Sequence, residues 1–421
     1  MPGSRPHCAE TILGPQVPIK FNQGKTSLRV GTGTEQGLKQ SYGDHRRSLR
    51  TCGLHFVASP VVLSQSASIL KHPHDLEHDV TFPLWRILAS LTTLLVAAHA
   101  HAFEAGWMQI QTPGPTPDAP TTTVALYYPT MAAPRAIAMG PFALDVAIGG
   151  KPVDKVKALI LLSHGISGTE TGHSVLAQAL ARNGYLVAAL RHPGDNWQDR
   201  SLMEKGPERY FDERPRQASR VIDAILADPA WKARIATDSQ GPRVGALGHS
   251  AGGYTVLALA GAKPDLSRMK KHCQAEASED PIFCSLARPG EATPPSPVAT
   301  PSPLPSLKDE RVRAIVAMAP TGVLLTAESL AAVRSATVIY EAELDRFLVP
   351  RFHAEWVASN LPAANLHRVP NAWHFAFMNA PSMPIPSHDG DVAANPPGFD
   401  RTVFLNQLAV EITAFFDKTL L

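Results

Sequence analysis

The chain has 421 residues, 44% of them apolar, and its 39 Lys and Arg nearly cancel 37 Asp and Glu, leaving a formal charge of +2. That balance argues against a nucleic-acid binder, which needs a clustered cationic surface, and the apolar fraction argues against global disorder despite 38 prolines. Four cysteines, Cys8, Cys52, Cys273 and Cys284, are too few for a disulfide scaffold and lack the close pairing of a zinc site.

Residues 1–79 are rich in Gly, Ser, His and Pro and hold no sustained period of 3.6 or 2, so they read as an unstructured or mis-assigned upstream extension. Gly31-x-Gly33-x-x-x-Gly37 has the wrong spacing for a dinucleotide site, and Gly24-Lys25-Thr26 lacks the earlier glycine of a phosphate loop. His72, His74 and His78 read as a solvated run rather than metal ligands. Composition then changes sharply. Arg86 precedes the apolar run 87–98, and Ala98, Ala100 and Ala102 follow at two-residue spacing. Basic flank, short apolar run and small residues are the parts of a secretory signal, assigned to residues 80–102, although a buried helix is the alternative. The run is too short to span a bilayer, which takes about 20 residues. A true start near Val80, a mature chain beginning near Phe103 with no stable membrane span, and a periplasmic or secreted location are the expectations.

Beyond Phe103, strand candidates fall at 122–128, 158–163, 185–190, 243–247, 313–318, 337–341 and 366–369. The middle ones are almost wholly apolar, as strands covered on both faces must be. Between them, Val175, Leu176, Ala179 and Leu180 mark one helix, and Val221, Ile222, Ile225 and Leu226 another. Such alternation predicts an α/β fold with a mainly parallel central sheet, helices on both faces, and ligands bound beyond the carboxyl ends of the strands. With the amino-terminal segments set aside, 103–421 reads as one catalytic domain. Four prolines make 113–120 a surface loop, and seven make 289–305 an extended linker. That linker belongs to an insertion at about 263–307 that also holds Cys273 and Cys284. In an exported chain these two are expected to pair, two unpaired surface thiols being the other possibility.

Residues 248–252 read Gly-His-Ser-Ala-Gly. Alone the pattern is weak, but an apolar strand precedes it and a helix follows, the setting of a nucleophile elbow, which makes Ser250 the candidate nucleophile. A serine hydroxyl needs a base, and the base an orienting acid. Of the downstream histidines, His374 follows the last strand by a short loop. His353 falls in a helical stretch, His367 in a strand, His272 in the insertion and His388 in a Pro-rich loop, so these four read as surface or structural. Asp345 sits just past strand 337–341 and is preferred as the acid over Glu341 and Glu343; helix capping is its alternative role. The oxyanion formed on attack needs donors. The N–H of Ala251 is one, and Ile166, in Ser163-His-Gly-Ile-Ser-Gly168, carries the other.

With Ser163-His-Gly, Gly-His-Ser250-Ala-Gly-Gly, Asp345 and His374 in order, the chain resembles the α/β-hydrolases. More narrowly it is similar, over about Gly140 to Phe377, to the dienelactone-hydrolase-like branch that includes platelet-activating-factor acetylhydrolases; His192-Pro-Gly-Asp-Asn196 and Arg214-Pro carry this narrower likeness. Dienelactone hydrolases themselves use a cysteine nucleophile, whereas this chain has Ser250. The resemblance implies a serine esterase, without metal or cofactor, acting on a small-molecule carboxylic ester. Short-acyl, phospholipid-like acetyl and phthalate-type esters are the substrate classes it suggests. An amidase or peptidase on the same fold, or a silent binding protein, is the alternative. His192, Trp197, Tyr210 and Phe211, from a 192–211 loop, and Trp373 are expected to line the pocket. No residue pattern speaks to oligomeric state.

Overall fold

A computed structural model describes residues 103–286 and 304–421. The chain divides into two units, Met1–Thr81 and Phe82–Leu421, and all described residues belong to the second. The proposed signal, the upstream extension with its glycine and histidine motifs, and most of linker 289–305 lie outside the described residues. Among those described, no helix is long and apolar enough to cross a membrane.

The strands are β1 (Glu104–Thr112), β2 (Thr122–Thr130), β3 (Arg135–Met139), β4 (Phe142–Ile148), β5 (Leu159–Ser163), β6 (Leu186–Arg191), the short pair β7 (Thr237–Asp238) and β8 (Gly241–Pro242), β9 (Val244–His249), β10 (Val312–Met318), β11 (Ala336–Ala342), β12 (Ala364–Val369), and the short pair β13 (Pro386–Ser387) and β14 (Gly390–Asp391). Ten of them form one sheet in the order β12-β11-β10-β9-β5-β6-β2-β1-β4-β3. From β12 to β6 every pairing is parallel; β2 then runs antiparallel to β6 and β1. This is the mainly parallel sheet expected from the alternation of strands and helices, and the α/β-hydrolase fold that the resemblance implies.

Burial on both faces explains the apolar strands. Leu159 and Leu161 face a core that includes Tyr254, Val221 and Ile225, whereas Ile160 and Leu162 face Leu176, Ile412 and Phe416. The first layer holds helices Pro207–Ala227 and Ala251–Leu259, and the second holds Ser174–Arg182 and Arg401–Leu420. Burying one such leucine or isoleucine contributes about 1.5–3 kcal/mol. The strands that composition did not reveal, β1, β3 and β4, are the half-exposed ones. β4 alternates buried and exposed residues and pairs with β3 in an edge hairpin turned at Gly140, where φ is +58°.

One expectation is corrected here. Residues 192–211 are not a single loop, because Pro207 opens a helix that runs to Ala227, so Tyr210 and Phe211 are helical. Pro215 lies inside that helix and lacks the N–H that would bond Phe211 C=O. Tyr254 Oη takes that place, donating to Phe211 C=O at 2.7 Å and fastening the helix to Ala251–Leu259.

In the insertion, helices Leu266–Ala275 and Pro281–Leu286 are joined by the Cys273–Cys284 disulfide. The fully buried Asp280 Oδ2 lies 2.8 Å from His272 Nε2 and 2.9 Å from His353 Nε2, which ties the insertion to the main body. Burial alone would raise the Asp280 carboxyl, but hydrogen bonds and charge from His353 and His272 outweigh it and hold the group below its ordinary value of 3.8. A carboxyl depressed in the folded state stabilises the protein above the unfolded value and loses that contribution as pH falls through the folded one. Between pH 5 and 2, thermal melts of wild type should therefore fall more steeply than those of Asp280→Asn; identical slopes would show that Asp280 carries no linkage.

Candidate active site

β9 ends at His249, and Ser250 turns the chain into helix Ala251–Leu259 with φ +58° and ψ −119°. An L-residue adopts such angles only when its surroundings over-determine them. Here Ser250 N–H donates to Met318 C=O at 2.9 Å, and its own C=O accepts the N–H groups of Tyr254 and Thr321, both at 3.1 Å. The neighbouring glycines are required by space. A Cβ on Gly248 would lie 2.1 Å from Gly252 O, one on Gly252 2.0 Å from Ser163 O, and one on Gly253 2.7 Å from Pro320. The backbone of the turn thus rests directly on the end of β5.

The loop after β5 meets the same point from the other side. A Cβ on Gly165 would stand 3.1 Å from Ser250 Cβ, which brings the adjacent Ile166 beside the nucleophile candidate. Ser167 follows with φ +53°. Ala251 is the first residue of its helix, where an N–H has no partner in a preceding turn.

His374 Nδ1 lies 2.7 Å from Asp345 Oδ2, and both side chains are buried. Asp345 Oδ1 accepts the N–H groups of Phe347 and Leu348, each at 2.8 Å, and the Phe347 ring stacks on the imidazole at 4.8 Å. The two rival acids are engaged elsewhere: Glu341 pairs with Arg368 at 2.7 Å, and Glu343 accepts the Asn371 N–H at 2.8 Å. Ser250 Oγ makes no hydrogen bond to His374, but both residues line one cavity of about 870 Å³. Such bonds are often long before substrate binds.

Of the residues expected to line this cavity, the structure places only Trp197 there, 60% exposed at the rim. His192 is fully buried behind the wall, its Nε2 2.8 Å from Ser163 Oγ and its Nδ1 2.7 Å from Gln217 Oε1. Tyr210 and Phe211 turn inward from their helix and pack on each other, and Phe211 also packs on Tyr254. Trp373 lies under the Arg346 guanidinium, 4.8 Å from it, outside the cavity. The wall is built instead from Phe142, Phe347, Phe375 and the methionines Met139, Met203 and Met378. Methionine fills irregular apolar surfaces adaptably, but no local pattern distinguishes these from core residues. Of the four histidines set aside, His388 also lines the cavity, whereas His353 is buried against Asp280 and His367 lies in β12.

Two further wall residues, His173 and His249, are buried imidazoles. Desolvation, reinforced by the charge of His164, pushes His173 down to about 3, and desolvation with the nearby His374 pushes His249 well below the usual range. Both are neutral at pH 7, so the charged groups lining the cavity are Arg191, paired with Glu170, and Arg200. Elsewhere, His272, Cys273 and Cys284 place three potential metal donors within 4.8 Å, with both sulfurs held in the disulfide and His272 Nε2 against Asp280.

No family model matches the chain. Two curated relatives, cutinase est1 and cutinase est2 of Thermobifida alba, are each 31% identical over 107 residues. The match takes in 25% of this chain and spans about a third (31%) of either relative's length. Among solved structures, a ferulic acid esterase from Streptomyces cinnamoneus aligns over 77% of this chain and 92% of its own, at 19% identity and a TM-score of 0.49. A CIB-like hydrolase from Thermoplasma acidophilum aligns over 74% and 99%, at 13% identity and a TM-score of 0.40.

The glycine contacts carry a direct consequence. Gly252→Ala should destabilise the fold by about 3 kcal/mol, because its Cβ meets backbone that cannot move without parting helix from strand. Urea denaturation checks this, and a variant within 1 kcal/mol of wild type, on the order of ordinary surface changes, would contradict the close packing.

Proposed function

We propose that the chain is a serine carboxylic ester hydrolase working through an acyl-enzyme. The observation that carries this reading is the strained turn presenting Ser250 to the same cavity as His374, itself held by Asp345. In the first half-reaction His374 Nε2 takes the Ser250 proton as Oγ attacks the ester carbonyl. The N–H groups of Ile166 and Ala251 receive the oxyanion, and His374 then protonates the departing alcohol. In the second half, water gives its proton to His374 and attacks the acyl carbon, releasing the acid and restoring Ser250. Asp345 keeps the imidazole proton on Nδ1, so that Nε2 is the basic nitrogen.

The substrate is a neutral ester with a substantial apolar portion. A cavity of about 870 Å³, walled largely by aromatic rings, methionines and uncharged imidazoles, with the Arg191–Glu170 pair and Arg200 also in its lining, is suited to such a group. Short-acyl, phospholipid-like acetyl and phthalate-type esters all meet that description, and the local likeness to two cutinases supports ester chemistry. We further propose export through the signal at 80–102, which agrees with the Cys273–Cys284 disulfide because exported thiols are oxidised.

Ser250→Ala should abolish both fluorophosphonate labelling and turnover of p-nitrophenyl esters. Asp345→Asn should keep the fold and lower kcat by about 10⁴, as expected when the base is held in the wrong tautomer. Activity retained in Ser250→Ala would reject the site. Amino-terminal sequencing of exported protein should begin near Phe103; a mature chain that keeps residues 80–102 would reject the signal.

A further inference from the structure

One ion pair outside the triad lies wholly inside the protein. Arg214 and Asp195, neither exposed at all, form an ion pair. Burying such a pair is a poor route to stability, because lost hydration offsets the attraction. What the pair holds is therefore the informative question.

Its hydrogen bonds reach both segments that carry the oxyanion donors. Arg214 Nη2 donates to His164 C=O and, at 3.3 Å, to Ser163 Oγ. Asp195 Oδ1 accepts the Ser167 N–H at 2.8 Å. The loop is thus gripped on either side of Ile166. Towards the nucleophile, Arg214 Nε donates to Thr255 Oγ1 at 3.3 Å, and that hydroxyl donates to Ala251 C=O at 2.9 Å. Tyr210 Oη donates to Asp195 Oδ2 at 2.7 Å.

We propose that Arg214 and Asp195 are positioning residues that set the spacing between the Ile166 and Ala251 N–H groups. The inference rests on the ester-hydrolase reading above. An oxyanion hole acts only when its donors stand about 2.7–3.1 Å from the place the oxygen will occupy. The Ile166 loop includes a left-handed residue, Ser167, and a shift of about 1 Å in such a part can cost about 10²-fold in rate. Only a planar guanidinium can reach a carboxylate, a carbonyl and a hydroxyl on three separate segments at once; a lysine ammonium presents a single point charge. The helix bearing Arg214 is itself pinned to the nucleophile helix by Tyr254 on the carbonyl that Pro215 leaves free.

Arg214→Lys and Asp195→Asn, assayed with p-nitrophenyl butyrate, should lose about 10²-fold in kcat with KM within about 3-fold of wild type. A trifluoromethyl ketone of matching shape, which adds to Ser250 and places an oxyanion in the hole, should lose affinity by the same factor. The corresponding methyl ketone, which does not add, should keep its affinity. A purely structural role would weaken both ketones alike. Thr255→Val matches the side-chain shape and removes the branch to Ala251 while leaving the ion pair in place; it should lower kcat about 10-fold. With Arg214 Nε left without that acceptor, it should also lower the melting temperature without unfolding the protein, so with the two ketones it decides the matter where the ion-pair variants do not fold. Folded variants with wild-type kcat, or equal loss of both ketones, overturn the proposal. Wild-type protein inactive on every ester overturns the ester-hydrolase reading, and this inference with it.

Discussion

Everything around the candidate site depends on the close approach of backbone to backbone at the turn after β9. Ser250 occupies a conformation that costs of the order of 1–3 kcal/mol, and three backbone hydrogen bonds from β10, the segment after it and the nucleophile helix hold it there. The approach is possible because residues 248, 252 and 253 have no Cβ. One consequence is that the helix begins hard against the end of β5, so the loop leaving β5 must pass over Ser250. The relation between Ser250 and Ile166 is therefore a packing consequence of the glycines.

Around that turn the protein keeps an unusual amount of polar material dry. His164 Nε2 accepts the His192 N–H at 3.1 Å, leaving Nδ1 as donor to Gly165 C=O. Desolvation, helped by the Arg214 charge, pushes His164 down to about 4 and His192 well below its usual range. These imidazoles act as neutral brackets with defined tautomers, each bonded on both nitrogens. The one pair of full charges behind the loop, Arg214 and Asp195, bridges the two backbone segments at the site. Behind the loop, full charge is thus confined to groups that have partners.

Much of the sheet is legible from composition because strands buried on both faces must be largely apolar, and β5, β6, β9 and β10 are almost wholly so. The half-exposed β1, β3 and β4 mix polar, small and apolar residues, and this composition does not separate them from loop and hairpin patterns. Helix Pro207–Ala227 was recognised only in its second half. Its first half carries five charged residues before Pro215. The side chains that anchor that half inward, Tyr210 and Arg214, do so through partners distant in the chain.

The sequence by itself determined the order of the chemistry: a strand, a glycine-flanked serine, then an aspartate and a histidine each just past a later strand. These are local properties, since turn geometry and strand exit are set by a few neighbouring residues. It also placed a cysteine pair eleven apart in one insertion. Only the tertiary structure decided which residues form the cavity wall, and it replaced four of the five expected ones. The direction a side chain faces on a long helix or a connecting loop is set by what packs against it, and here those partners include Asp195, Tyr254, Gln217 and Arg346. The pairing of Asp195 with Arg214 was likewise beyond any local signal. Residues nineteen apart meet because the helix bearing Arg214 packs back against the sheet beside the exit of β6, and that packing is a property of the assembled fold.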